Sequence, residues 1–260
     1  MSEKKVGEKC LVMLPGFMGT KTDFNTLSLL LGEQFECMPL VLGEQPVTEQ
    51  RSVSAEGDPF EEAVNQWFQQ FHMQLPESFY LYGYSMGGRM ALALASQMQQ
   101  QQPGRIKGLF LESAHPGLQS DTEKKRRQQG DECWVTALKE RPLNDVLRDW
   151  YAQPVFSGLQ EAQVEQLIAS KAHLNAAILQ EQLQIFGLSQ QRDYRSFLHQ
   201  ATVKHGLTVH FFAGGKDEKF RQLGAGLRGP QLHIAEHCGH NIHFEDARWM
   251  ANAIQSTIEH

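Results

Sequence analysis

Gly83-Tyr84-Ser85-Met86-Gly87-Gly88 is the stretch on which the rest of the chain turns. It fits G-x-S-x-G, with a short apolar run before it (Ser78 to Tyr82) and a helical pattern after it (Met90, Leu94, Met98). A serine at a strand-to-helix junction sits on a sharp turn that pushes its hydroxyl out over the end of the sheet. Flanking glycines let neighbouring backbone pass close by without a Cβ clash. The helix that starts at the serine supplies oriented N–H groups and a partial positive charge. Gln99 to Gln102 and Pro103-Gly104 should end that helix.

Outward from the turn, the same alternation repeats. Apolar runs at Cys10 to Leu14, Phe35 to Leu40, Leu109 to Ser113, Thr208 to Ala213 and Gln231 to Ile234 predict further strands. They carry little polar alternation, as strands covered on both faces do. Asp58-Pro59 predicts an N-cap with proline at the first helical position, ahead of the stripe Phe60, Val64, Trp67, Phe68 and Phe71. Glu245 to Ile258, with Trp249, Met250 and Ile254, predicts a last amphipathic helix. Strands alternating with helices define an α/β protein with a mostly parallel central sheet and helices on both faces.

Between Gly117 and His199 the alternation stops. Helical patterns run there without a strand, with turns expected at Gly130, Pro142, Pro154 and Gly187. The stretch is too long for a loop and too short for a second α/β domain. It reads as a helical cap: residues 1–116 and 200–260 form the core and 117–199 the insertion. Within it, Lys124-Lys125-Arg126-Arg127 reads as a solvated helix face.

The 260 residues carry a net charge of −6, which argues against a general nucleic-acid binder. Hydrophobic residues make up 41% and aromatics 9%, enough for a real core. No run approaches the ~18–20 apolar residues of a membrane span. The start, Met1 to Lys5, lacks the apolar segment of a signal peptide. Four cysteines (Cys10, Cys37, Cys133, Cys238) without a CxxC pair make no disulfide framework. These features predict a cytoplasmic globular protein, monomeric or weakly self-associating, with neither nucleic acid nor membrane as a partner.

An activated serine needs a base and a group that orients the base. Asp217 stands in the turn after the expected strand Thr208 to Ala213, at the same sheet edge as Ser85, with Glu218 as the neighbouring alternative. Glu236-His237-Cys238-Gly239-His240-Asn241 forms a turn before the last helix. His240, following Gly239, is the favoured base, with His237 and His243 close by and His233 structural within its strand. The order Ser, Asp, His along the chain is that of the α/β-hydrolase fold. A rival reading takes His237, Cys238, His240 and His243 as metal ligands, but the segment reads as a loop and no metal or other cofactor is expected. The oxyanion hole should combine the N–H of Met86 with that of Phe17, in Leu14-Pro15-Gly16-Phe17-Met18-Gly19.

Several longer motifs carry a more specific likeness. The elbow with Arg89, the run Ser113-Ala114-His115-Pro116-Gly117-Leu118-Gln119, the stretch Asp149 to Phe156, Gly215 to Phe220 and Gly239-His240-Asn241 together resemble the MenH family. These are the 2-succinyl-6-hydroxy-2,4-cyclohexadiene-1-carboxylate synthases of bacterial menaquinone biosynthesis. The resemblance runs from the first strand to the last helix. It implies a lyase that removes a ring proton from a polyacidic cyclohexene substrate and expels pyruvate, with Ser85 as the base, His240 activating it and Asp217 orienting His240. It further implies Arg89 and Arg127 as carboxylate ligands and Trp150 and Tyr151 as a wall over the ring. Lys171 stands where the family has a third arginine, a change that keeps the charge and loses the bidentate fork. Pro15 stands where many relatives have histidine. The alternative from the same fold is a serine carboxylesterase or C–C bond hydrolase, whose mostly neutral pocket would give Arg89 and Arg127 no reason to converge.

Overall fold

The computed structural model describes residues 9–42 and 58–258, so the reading of Met1 to Lys5 lies outside the described residues. Six strands form one parallel sheet: β1 (Lys9–Leu14), β2 (Phe35–Pro39), β3 (Phe79–Tyr84), β4 (Ile106–Glu112), β5 (Thr208–Gly214) and β6 (Gln231–Ala235). Their order is β2-β1-β3-β4-β5-β6. The chain therefore moves to one side of β1 first and to the other afterwards. The crevice at the carboxyl ends of β1 and β3, where the order reverses, is where open α/β sheets bind ligands.

Side chains on successive strand residues point to opposite faces, so each central strand feeds two cores. Val12, Leu81, Leu109 and Val209 pack with α2 (Pro59–Gln69) and α3 (Met86–Gln101) on one face. Leu11, Met13, Tyr82, Phe110 and Phe212 pack with α1 (Asn25–Leu31) and α11 (Ala247–Ser256) on the other. Helix α2 starts as its residues dictate: the Asp58 carboxylate accepts from the N–H of Phe60 (2.9 Å) and Glu61 (3.2 Å), with Pro59 in the first turn.

Between β4 and β5 the described chain is helical: α4 (Asp121–Glu140), α5 (Leu143–Tyr151), α6 (Glu161–Lys171), α7 (Ala176–Phe186) and α8 (Arg195–Val203). Ser120 and Glu123 form a capping box at the start of α4. The turn expected at Gly130 is absent. Gly130 lies inside α4 on its solvent side with nothing near its Cα hydrogen, and the helix absorbs its low propensity. The final helix expected from Glu245 to Ile258 is α11, slightly shorter at both ends. A short α10 (Ile242–Glu245) ends at Asp246, whose carboxylate accepts from Trp249 N–H (2.9 Å) and so starts α11. After β5, the helix α9 (Glu218–Ala225) leads back towards β6. Among the described residues no helix is long and apolar enough to cross a membrane.

Candidate active site

Ser85 stands between β3 and α3 with φ 50° and ψ −109°, a strained conformation for a residue with a side chain. The neighbourhood holds it there. Ser85 N–H donates to the Glu112 carbonyl (2.9 Å), and Arg89 N–H closes the first helical turn on the Ser85 carbonyl (3.1 Å). A Cβ on Gly83 would lie 2.5 Å from Gly88 Cα, and one on Gly87 would lie 2.1 Å from the Leu14 carbonyl oxygen. These glycines let the turn fold against itself and against the end of β1.

Asp217 caps α9, its carboxylate accepting from Phe220 N–H (3.3 Å), and its other oxygen lies 2.7 Å from His240 Nδ1. Both side chains are buried. The two turns are in contact: a Cβ on Gly214 would fall 1.9 Å from the Gly239 carbonyl oxygen. His240 Nε2 lies 3.2 Å from Ser85 Oγ, so Ser85, His240 and Asp217 form one hydrogen-bonded line. Glu218 is exposed and paired with Arg221 and Gln222, away from this line. The rings of Tyr84, Phe156 and Phe220 pack around His240 at 4.8–5.6 Å between centroids. Phe156 comes from the helical insertion, which thus shields the imidazole from water.

The remaining histidines have other partners. His243 Nδ1 bonds Glu112 (2.8 Å), whose carboxylate also accepts from Tyr82 and from His243 N–H (3.1 Å). This buried pair ties the end of β4 to α10 beneath the serine turn. His233 Nε2 lies 2.9 Å from His210 Nδ1, between strands, and His237 is exposed. Among the described residues no three His, Cys, Asp or Glu side chains are arranged to hold a metal ion. Glu245 accepts from the N–H groups of Gly239 (2.7 Å) and Asn241 (3.2 Å), which pins the loop on either side of His240.

Two cavity lobes meet at Ser85. The smaller, about 150 Å³, is lined by Phe17, Met86, Arg89, His115, Arg127 and Lys219 among others. Arg89 is only 6% exposed, and its Nη1 is buried without a hydrogen-bond partner. Burial, and then repulsion from Arg127, brings its pKa down to about 9, so it stays charged at neutral pH. Arg127 turns inward from the otherwise mostly solvated Lys124–Arg127 face and bonds Asp131 through Nε (2.9 Å). His115 Nδ1 accepts from Gly117 N–H (3.1 Å). Burial and the surrounding Lys219, Arg195, Arg89 and Arg127 lower its pKa to about 3. His115 is thus a neutral imidazole whose proton sits on Nε2. Lys219, an exposed residue, brings its ammonium to the edge of this lobe, over the Phe220 ring.

The larger lobe, about 390 Å³, is lined by Asp23, Gln163, Gln166, Ser170, Lys171 and Asn241 together with aromatic walls. Lys171 is buried and ion-paired with Asp23. Trp150 faces both lobes and packs on Phe17 and Trp134, each at 5.0 Å, while Tyr151 lines the larger lobe only. The structure therefore gathers Ser85, Asp217, His240, Phe17, Met86, Arg89, Arg127, Trp150, Tyr151 and Lys171 at one site, but separates Lys171 from the two arginines. The sequence assigns no role to Asp23, His115, Lys219 or Glu112, although His115 and Lys219 stand in stretches that carry the family resemblance, and it leaves His243 as a neighbour of the favoured base. Glu112, an acid ending an apolar strand, is a further visible signal, whereas nothing local marks Asp23.

The fold and this site define a member of the α/β-hydrolase class, and residues 9–175, more than half of the chain, match the thioesterase domain family. The 2-succinyl-6-hydroxy-2,4-cyclohexadiene-1-carboxylate synthase of Klebsiella pneumoniae is 38% identical over 64% of this chain and 62% of its own. The synthase of Citrobacter koseri is 36% identical over 69% of this chain and 68% of its own. The match thus spans somewhat under two thirds of the first relative's length. Among solved structures, MenH from S. aureus superposes with a TM-score of 0.82 at 20% identity, covering 100% of this chain and 96% of that one. A thermophilic esterase from Thermogutta terrifontis gives 0.70 at 17% identity over 96% and 89%. The chain belongs to the 2-succinyl-6-hydroxy-2,4-cyclohexadiene-1-carboxylate synthase family.

Proposed function

We propose that this protein catalyses the elimination of pyruvate from 2-succinyl-5-enolpyruvyl-6-hydroxy-3-cyclohexene-1-carboxylate, yielding 2-succinyl-6-hydroxy-2,4-cyclohexadiene-1-carboxylate for menaquinone biosynthesis. The observation that carries this reading is Arg89: a buried guanidinium with an unpartnered nitrogen, beside Ser85 and facing a lobe that also holds Arg127 and Lys219. A charged group is costly to bury without full compensation; Asp131, bonded to Arg127, offsets Arg89 only in part, and carboxylates of the substrate would complete it.

In this reading Ser85 Oγ takes a ring proton from the substrate as its own proton passes to His240 Nε2. The Asp217 carboxylate holds the His240 tautomer and stabilises the imidazolium that results. Negative charge moves onto the substrate's carbonyl oxygen, where the N–H groups of Met86 and Phe17 receive it. The electrons then return to the ring and break the bond to the enolpyruvyl oxygen. Pyruvate leaves as its enolate and takes up a proton. No electron is gained or lost overall, so side chains alone suffice. Trp150 and Tyr151 flank the ring, and residues 117–199 act as a cap over the core formed by 1–116 and 200–260. The setting we propose is the cytoplasm, with a small polyacid as the only required partner and a monomer or weak homo-oligomer as the active form.

Pyruvate measured by mass spectrometry from the enolpyruvyl precursor tests this directly. Wild type should release it and Ser85→Ala should not. The thioesterase-domain match favours a second reading, ester hydrolysis through an acyl-enzyme on the same serine. A p-nitrophenyl ester panel separates the two: fast ester turnover without pyruvate release would select the hydrolase.

A further inference from the structure

The lobe on the far side of Ser85 from Arg89 has its own charge arrangement. Lys171 ends α6, and its side chain is 3% exposed; it reaches Asp23, whose side chain is 20% exposed. Asp23 is fixed independently of Lys171, accepting from Thr20 Oγ (2.6 Å) and, more weakly, from Thr20 N–H (3.3 Å). The pair joins two elements far apart in the chain, and both members line the cavity. Gln163, Gln166, Ser170 and Asn241, which also line it, carry no charge, and His243 is turned to the buried Glu112 carboxylate. An anion entering this lobe would meet the Asp23 carboxylate or would have to part a largely buried ion pair, and an uncompensated buried charge is heavily penalised. A hydroxyl meets no such barrier. Lys171 has donors left over after Asp23, and Asp23 has acceptor capacity left, so one hydroxyl can accept from the first and donate to the second.

We propose that Asp23 is a specificity determinant: by neutralising Lys171 it makes the larger lobe a site for an uncharged, hydroxyl-bearing part of the substrate and confines the carboxylates to the Arg89 lobe. This rests on the reading of the substrate as a polyacid and assigns its charged and neutral parts to opposite sides of Ser85. Lys171 then serves as half of a neutral pair rather than as a third carboxylate ligand.

The test compares Asp23→Asn, Lys171→Met and the double variant, using pyruvate-release kinetics and calorimetric binding of succinate. Asp23→Asn leaves the ammonium unpaired, so succinate should bind about tenfold more tightly than to wild type, and lose that gain as salt is raised. Lys171→Met leaves the carboxylate unpaired, so KM should rise about tenfold or more with a smaller change in kcat. In the double variant both charges are gone, and KM should return to within about threefold of wild type. If Lys171 itself grips a carboxylate, the double variant will be as impaired as Lys171→Met and Asp23→Asn will not tighten succinate; that result overturns the proposal. Succinate binding keeps the test independent of the assigned reaction. Wild type failing to release pyruvate would refute the function, while the Asp23→Asn comparison would still decide the charge arrangement. Should Lys171→Met not fold, Lys171→Gln replaces it, with thermal melting confirming the fold of each variant.

Discussion

The two lobes that meet at Ser85 handle positive charge in opposite ways. In the smaller, Arg89 is buried with an open nitrogen, beside a second cation, Arg127, whose own partner Asp131 offsets the Arg89 charge only in part. In the larger, Lys171 is just as deeply buried but closed off by Asp23. A cationic side chain near a serine is therefore no guide to function until its partner is known. Satisfied cations hold a wall in place, whereas an unsatisfied one awaits an anion.

The largest effect should come from removing the group both lobes share. Ser85→Ala should lower the rate of pyruvate release by about a thousandfold or more, with the melting temperature little changed because the turn is held by backbone hydrogen bonds and close glycine contacts that alanine keeps. Activity within tenfold of wild type would remove Ser85 from the role of base. Next comes Arg89→Ala, which should lower kcat/KM by about a hundredfold, the loss expected when one charge-assisted contact disappears from a buried site. Arg127→Ala should cost less, about tenfold, because Asp131 already absorbs part of its charge. Equal losses for the two arginines would erase the distinction between open and closed cations.

Much of this contrast was hidden in the sequence, and the reasons are physical. The strands, the serine turn and the order Ser85, Asp217, His240 were legible because each depends on local pattern: apolar runs, glycine spacing, and a carboxylate or imidazole just past a strand. The division of the cavity was not legible. Lys171 and Asp23 are brought together only by the docking of α6 against the turn before α1, and no local pattern encodes that contact. Lys171 is grouped with Arg89 and Arg127 in the sequence only through the family resemblance, which puts a third arginine at its position and says nothing of Asp23. Gly130 was misread for the opposite reason, since a single exposed glycine costs a twenty-residue helix only ~1 kcal/mol.

A smaller effect distinguishes the lobes by proton binding. His115 has a folded pKa of about 3 against an ordinary 6.5, so the unfolded chain binds its proton first as the medium is acidified. Its contribution to stability is complete above about pH 6.5 and is lost as pH falls towards 3. The melting temperature of wild type should fall across that window, and His115→Gln should show a shallower fall. Because Arg89 is one of the charges that depress His115, Arg89→Ala should raise the His115 pKa in an NMR titration, while Lys171→Gln should leave it in place. A rise with the lysine variant and none with the arginine variant would mean that the two lobes are electrostatically one.

The account is tested most directly by a crystal structure of Ser85→Ala with the uncleaved enolpyruvyl precursor. Carboxylate oxygens within hydrogen-bond distance of Arg89 Nη1, with a ring carbon facing the vacated hydroxyl position and the ring hydroxyl between Lys171 and Asp23, are predicted. A carboxylate bound to Lys171, with Arg89 Nη1 still unpartnered, would contradict it.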